Sequence, residues 1–414
     1  MTRKHTLTPR QLNHGLELSE DGRTIYVSTA ENVDSHSYDP DTLTVGNLTR
    51  LIANMTNPGR GHVSRTLLLS RKQPDMLLVS RGSASNIDPL AADISTGVSQ
   101  IRAFNLTTLA ANTELARPYS YPADGLLVGW GLRNSVGVAE HPTTGGIFSV
   151  ENSADNIIRL GVDIHEDNPG EELNYHAPLS DPDNLGSNHG YPYCFALWNT
   201  TDFPSLNDLH VGSHFALTNN ATANDTSCDE TTTPPRLTFQ AHTAPLDIIF
   251  SPADDGNRAF ISFHGSWNRE HPAGYKLSYV DFVNGQPVEQ RDSVTAARDV
   301  LTAPDVAACE EFGACFRPVG LAFDEGGERL FVSSDATGEI WVVMRDGEEG
   351  GGGGDGDGEG GDGSPTPTGD GAPGETSSAA AVPGVMGRGV GGLGWGVVGV
   401  TVAMVAVGGW GFMA

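Results

Sequence analysis

With 414 residues, 52 glycines and 25 prolines, the chain is long enough for one large domain or two ordinary ones and too rich in turn formers for a helical protein. A formal net charge of −28, with 24 Lys and Arg in all, argues against nucleic-acid binding, which needs clustered cations. No long run shows helical spacing, so the expected fold class is all-β.

Met1 to Leu7 has no apolar core and no small-residue cleavage site, so it is not a signal peptide. A pattern then recurs: polar cluster, short apolar strand, Ser/Asp/Gly turn, second apolar strand, Ser-rich loop. It runs from Asn13-His14-Gly15-Leu16 to Ile25-Tyr26-Val27-Ser28, and again from His62-Val63-Ser64-Arg65-Thr66-Leu67 to Leu77-Leu78-Val79-Ser80. The third copy runs from Gly131-Leu132-Arg133-Asn134 through Ser135–Ala139, then Gly146–Val150 to Glu151-Asn152-Ser153-Ala154-Asp155-Asn156. The fourth runs from His242-Thr243-Ala244-Pro245-Leu246 to Ala259–Ser262, and the fifth from Arg317-Pro318-Val319-Gly320-Leu321 to Leu330–Ser333. Apolar runs at 278–282 and 340–343 supply outer strands.

Repeats of roughly 40–70 residues built from short strands point to a β-propeller. The first strand of each repeat then lines a central channel, and the polar clusters before those strands converge at one mouth. This gathers His14, His62, Arg65, Arg133, Asn134, His242 and Arg317. The returning strands add Arg81-Gly82-Ser83, Ser153-Ala154-Asp155, His264-Gly265-Ser266-Trp267-Asn268 and Asp335. In the third copy a hairpin brings Arg133 and Asn134 to the same edge as Ser153-Ala154-Asp155. A guanidinium beside a carbonyl-rich loop predicts a cofactor that is both an anion and a metal ligand.

Between copies three and four lies an insertion, 163–235. Its stretch Asp163 to Asn174 concentrates oxygen ligands without EF-hand spacing; Glu171 and Asn174 are the expected ligands of a second calcium, and a solvated acidic loop is the alternative. Cys194 with Cys228 and Cys309 with Cys315 lack CxxC spacing and read as two local disulfides rather than zinc ligands. Six N-x-S/T sequons, at Asn47, Asn54, Asn105, Asn199, Asn220 and Asn224, point to an oxidising, secretory route and a glycoprotein.

The folded pattern stops near residue 345. Residues 346–376 form a Gly/Asp-rich spacer expected to be disordered. Residues 377–414 combine small residues, a short spacer and a hydrophobic tail from Val390 to Ala414, the pattern of a GPI-anchor signal; a transmembrane helix is the alternative. A cell-surface or cell-wall location follows as the expectation. A GPI signal without a leader predicts an N-terminally short chain.

Several of these stretches resemble the soluble quinoprotein glucose and sorbosone dehydrogenases, and most closely the fungal pyranose dehydrogenases that use pyrroloquinoline quinone (PQQ). They are Gly131-Leu132-Arg133-Asn134, Glu151-Asn152-Ser153-Ala154-Asp155, Asn188-His189-Gly190-Tyr191-Pro192, His264 to Arg269 with Gly274-Tyr275-Lys276, and Arg317 to Ala322. The similarity spans residues 7 to 343. It implies a six-bladed propeller, of which residues 1–345 hold five repeats and whose first blade would precede Met1. It also implies His62 as the catalytic base, Arg133 and Asn134 as residues that hold PQQ and polarise the reacting carbonyl, and Ser153, Ala154 and Asp155 as the calcium loop, chiefly through backbone carbonyls. Lys276, Arg317 and His264 are implied as further cofactor contacts, with His264 an alternative base and Trp267 a sugar platform or a core residue. The family's Gly-Pro calcium loop is Ser-Ala here, a change that backbone ligation tolerates.

The implied reaction oxidises a pyranose sugar at C1 or a related ring carbon and passes electrons to an external acceptor such as a cytochrome, since no haem-binding CxxCH occurs in the chain. Two rivals remain at this point: a calcium-dependent propeller lactonase or esterase, and a non-catalytic cell-surface propeller. Arg133, Lys276 and Arg317 in so acidic a chain favour a carboxylated cofactor.

Overall fold

Strands of three to ten residues cannot stand alone, so each pairs antiparallel with its successor and the chain lays down one small sheet after another. A computed structural model describes residues 12–59, 61–111, 117–218, 220, 223–310, 315–345 and 395–398. Blade one joins Leu16–Leu18, Thr24–Ser28, Val33–Asp39 and Thr44–Ala53; blade two joins Leu67–Leu69, Met76–Arg81, Gln100–Asn105 and Leu126–Trp130. Blade three joins Ser135–Glu140, Ile147–Glu151, Glu171–His176 and Leu237–Phe239; blade four joins Pro245–Phe250, Arg258–Phe263, Lys276–Val283 and Arg298–Thr302. Blade five joins Pro318–Phe323, Arg329–Ser334, Ile340–Arg345 and Trp395–Val398.

The first strands of successive blades lie side by side in chain order. Side chains alternate across each sheet, and blades two to four bury both faces, so the core is a series of inter-blade layers. Val33, Ile52, Leu77 and Phe104 fill the layer between blades one and two, and Leu78, Ile101, Val128, Val138 and Ile147 the next. Phe148, Val150 and Leu173 meet Ile248, Phe250 and Phe263 between blades three and four, and Phe260 meets Leu321, Leu330 and Val343 between four and five.

The all-β propeller is therefore as expected, with five blades among the described residues. The sixth blade that the resemblance implied is not among them. Two apolar faces, one on blade one and one on blade five, are exposed among the described residues. Glu17 reaches blade two, where Oε1 accepts from Leu69 N, so its neighbours Leu16 and Leu18 face the other way. On blade five, Val343 packs toward blade four while its neighbour Met344 is exposed.

Two placements differ from the sequence reading. Glu171–His176 is the third strand of blade three, inside the stretch taken as an insertion. Its Glu-Glu-Leu-Asn-Tyr-His composition looks like a loop, and only burial between neighbouring blades makes it a strand. The spacer 346–376 and most of the hydrophobic tail lie outside the described residues; within that tail Trp395–Val398 pairs antiparallel with Ile340–Arg345. Cys194–Cys228 and Cys309–Cys315 are disulfide-bonded, as expected.

Candidate active site at the channel mouth

The first two strands of blade three form the hairpin that the sequence predicts. Gly145, with φ of 73°, turns the chain, and Gly145 N donates to His141 O. Arg133 and Asn134 at the start thereby meet Asn152 to Asp155 at the end. Asn152 N donates to Asn134 O at 3.1 Å, and Arg133 Nη1 donates to Asn152 O at 3.1 Å. Arg133 is 3% exposed. Its Nη2 donates to Asp155 Oδ2 at 2.9 Å and to Asn86 Oδ1 at 2.8 Å, and its Nε to Asn86 O at 3.1 Å. Asn86 also receives Asp155 N and donates Nδ2 to Asp155 O, so it clamps both residues.

Asp155 has a second partner. His242, at the start of blade four with φ of 62°, places Nδ1 3.3 Å from Asp155 Oδ1 and donates Nε2 to His165 O at 2.5 Å. Burial opposes charge on both groups. For Asp155, the hydrogen bond from His242 and the Arg133 charge outweigh burial and hold the carboxyl below its usual value. For His242, the hydrogen bond to Asp155 and the Glu171 charge outweigh it and raise the imidazole.

His62 enters from blade two. Its Nδ1 lies 2.8 Å from Ser83 Oγ, and its backbone N donates to Ser83 O. Burial first, and the Arg133 charge second, lower its pKa to about 3. Gly82 is needed where it stands: a Cβ there would sit 2.6 Å from Asn134 Oδ1 and 2.7 Å from His62 Cβ. His62 and Asn134 thus approach each other across a bare backbone. The Asn134 side chain makes no hydrogen bond with the described residues, so its amide is available to a ligand.

The Ser153-Ala154 loop is braced from below. Glu171 Oε2 accepts from Ser153 N at 2.7 Å and its Oε1 accepts from Ala244 N at 3.1 Å. Burial raises Glu171 to about 6. Among the described residues no donor reaches the carbonyls of Ser153 or Ala154. Two unclaimed carbonyls on adjacent residues fit backbone ligation of a hard cation, for which oxygen is the preferred ligand.

The second calcium expected at Glu171 and Asn174 does not fit. An odd separation of three along one strand puts the two side chains on opposite faces. Asn174 Nδ2 instead donates to Glu172 Oε2 and Glu151 Oε2. Burial and mutual repulsion raise Glu151 well above the carboxylate range, and burial raises Glu172 to about 7. Among the described residues no group of three or more His, Cys, Asp or Glu could hold a metal ion.

Other expected mouth residues divide. Arg317 stacks over Tyr275 and donates to Tyr275 Oη at 3.0 Å, with His264 Nδ1 3.3 Å away; His264 Nε2 meets Asp335 Oδ1 at 2.9 Å. Because guanidinium can only donate, His264 Nδ1 accepts and Nε2–H donates. Both ring nitrogens are engaged, which disfavours His264 as the base. Trp267 beside it is 54% exposed, which places it outside the core, and Asn268 Nδ2 is a buried donor without a partner among the described residues. Lys276 lies on the opposite face of blade four from Arg317, with Nζ 2.8 Å from Asp299 Oδ1 and over the Phe263 ring. It does not join the other cations. Arg65 is fully buried and donates to the carbonyls of His62, Ser64 and Met55, and Arg81 likewise ties loops together. His14 is held neutral by burial.

The profile of the TrAA12-like family matches residues 1–346. The chain belongs to this family. A pyrroloquinoline quinone-dependent sugar dehydrogenase of Hypocrea jecorina (strain QM6a) is 51% identical over 343 residues, 82% of this chain and 75% of that protein. A pyrroloquinoline quinone-dependent pyranose dehydrogenase of Coprinopsis cinerea is 36% identical over 358 residues, 83% of this chain and 47% of that protein, so this chain spans about half its length. The calcium structure of the Trichoderma reesei family AA12 enzyme superimposes with a TM-score of 0.77 at 51% identity, covering 82% of each chain. The holo form of the PQQ domain of the Coprinopsis cinerea pyranose dehydrogenase gives 0.77 at 34% identity, covering 83% of this chain and 85% of that one. The kinship read from the sequence is borne out.

Sequence reasoning brought Ser83 to the mouth without giving it a role and did not name Asn86. Both lie just past Arg81-Gly82, on a loop that the repeat had already brought to the mouth, which was the available signal.

Proposed function

We propose that this protein is a PQQ- and calcium-dependent dehydrogenase that oxidises a pyranose sugar at C1 or a related ring carbon, with His62 as general base. The observation that carries the reading is the meeting, at one rim, of an imidazole whose Nε2 has no partner among the described residues, an Asn134 amide and Ser153 and Ala154 carbonyls likewise unclaimed among them, and Arg133. Those carbonyls would hold the calcium, while Asn134, the orphaned Asn268 amide and Arg317 would hold the cofactor. Bound PQQ supplies the hydride acceptor, and calcium makes it more electrophilic.

His62 takes the proton of the sugar hydroxyl as its carbon gives up hydride; burial and Arg133 keep the imidazole neutral and its lone pair available. Arg133 is already held by Asp155, Asn86 and Asn152, so it supplies a fixed positive field rather than a free fork. Electrons leave to an external acceptor. The two disulfides and the sequons support a secreted glycoprotein, and the C-terminal sequence pattern supports a GPI-anchored, cell-surface location.

The test is reconstitution with PQQ and calcium, followed by cofactor binding and sugar-dependent dye reduction. His62→Ala should bind PQQ normally and lose roughly 100-fold or more in kcat, the usual worth of a general base. Failure of the wild-type chain to bind PQQ in the presence of calcium would overturn the reading.

A further inference from the structure

We infer that Ser83 is a positioning residue that fixes His62 in the Nδ1-protonated tautomer, so that Nε2 presents its lone pair to the mouth. The inference rests on His62 being the base, and nothing in the residue type of Ser83 announces it.

Ser83 is fully buried and its backbone is tied on both sides: its N donates to Arg133 O at 2.8 Å, and its O accepts from His62 N at 2.8 Å. The main chain on which the side chain stands is therefore fixed. Ser83 Oγ lies 2.7 Å from Ser85 O and 2.8 Å from His62 Nδ1. Two oxygens at 2.7 Å need a hydrogen between them, since otherwise their lone pairs face each other. A serine hydroxyl has one proton, and Ser85 O claims it. Ser83 Oγ consequently turns a lone pair toward Nδ1, and that nitrogen must carry the hydrogen.

Tyr191 supports the same assignment. Its hydroxyl accepts from Asp88 N at 2.7 Å and lies nearer Asn86 O, at 3.0 Å, than Ser85 O, at 3.2 Å. Donating to Asn86 O leaves Ser85 O to Ser83, and the contact that Tyr191 itself makes with the Ser83 hydroxyl is a second partner for the serine proton away from Nδ1. A carboxylate in place of Ser83 would select the same tautomer but would also favour the imidazolium. A hydroxyl selects the tautomer without adding charge. The charged groups that face His62 are Arg133 and Asp155 from blade three and Arg65 from its own loop, so the partner at Nδ1 is the uncharged member of the surroundings.

The experiment is imidazole ¹⁵N NMR on histidine-labelled protein without cofactor, with the His62 resonances assigned by their loss in His62→Gln. The wild type should show a protonated Nδ1 and an unprotonated Nε2. In Ser83→Ala the tautomer should shift toward Nε2–H, and in the reconstituted enzyme kcat should fall roughly 10-fold with little change in KM, a fraction of the full worth of a base. Ser83→Asp should keep the tautomer and move the acid limb of the kcat profile to higher pH. A wild-type His62 protonated at Nε2, or an unchanged tautomer in Ser83→Ala, overturns the inference. If the wild-type tautomer is as stated but the reconstituted protein does not oxidise sugars, the assignment of Ser83 stands and the proposed function fails.

Discussion

Replacing Asp155 by Asn removes the carboxylate that Arg133 and His242 share. Arg133, Asp155 and His242 have side-chain exposures of 4%, 13% and 5%, so the variant strands positive charge in a nearly dry site. Breaking a buried pair by removing one partner costs about 3–5 kcal/mol. Arg133 keeps its bonds to Asn86 and Asn152, which places the expected loss near the lower end, about 3 kcal/mol. The pH dependence follows from the two shifts. Asp155 is held below its usual 3.8, so its contribution is present above that value and disappears as pH falls through the lower folded pKa. His242 is raised above 6.5, so its contribution is complete below 6.5 and disappears as pH rises through the higher folded pKa. The gap between wild type and variant should therefore be widest at about pH 5–6 and narrow above it. Urea unfolding across that range measures the gap, and the His242 Cε1 proton reports its pKa directly. In the variant that pKa should drop, because burial then acts with less opposition. A variant within about 0.5 kcal/mol of wild type at pH 6, or an unmoved His242 titration, would refute the argument.

Three further outcomes are expected. Gly82→Ala forces His62 and Asn134 apart, and because a displacement of about 1 Å costs about 100-fold, kcat/KM should fall by that order while the protein stays folded; activity within about twofold of wild type would show the contact to be soft. Glu171→Gln leaves Ser153 N or Ala244 N facing an amide donor, an unsatisfied group worth about 1–3 kcal/mol, so calorimetry should show calcium binding in the presence of PQQ weakened about 10-fold or more. Removing Cys194–Cys228, with a separation of 34 residues, should cost about 4 kcal/mol in urea unfolding, against about 2 kcal/mol for Cys309–Cys315 with a separation of 6; the reverse order would sink the loop-entropy argument.

Much of the site was legible because it is local. Arg133 and Asp155 lie 22 residues apart on one hairpin, and strand alternation with a tight turn suffices to bring them together. The disulfides were legible for the same reason. Lys276 was misplaced because motif matching does not reveal which face of a strand a residue takes, and a neighbour's position, with Tyr275 beneath Arg317, sends Lys276 the other way. Glu171 and Asn174 were grouped as ligands because they are close in sequence, yet period two separates them. Arg65 and Arg133 are the same residue type at equivalent places in two repeats. One meets only carbonyls and becomes structural, while the other meets a carboxylate at the mouth.

By itself, then, the sequence determined the repeat, the order of the blades, the hairpin at the centre of the site and the covalent cross-links. All of these depend on residues near one another along the chain, where loop closure is short and the periodicity is visible. The tertiary structure decided which cations face the mouth, that Asn86 clamps Arg133 from 47 residues away, that His165 anchors His242 from 77, and that the Ser83 hydroxyl lies against the His62 ring. Those contacts form only when one blade is stacked against the next, and the stacking is specified by apolar faces that say nothing about the polar partners they bring together.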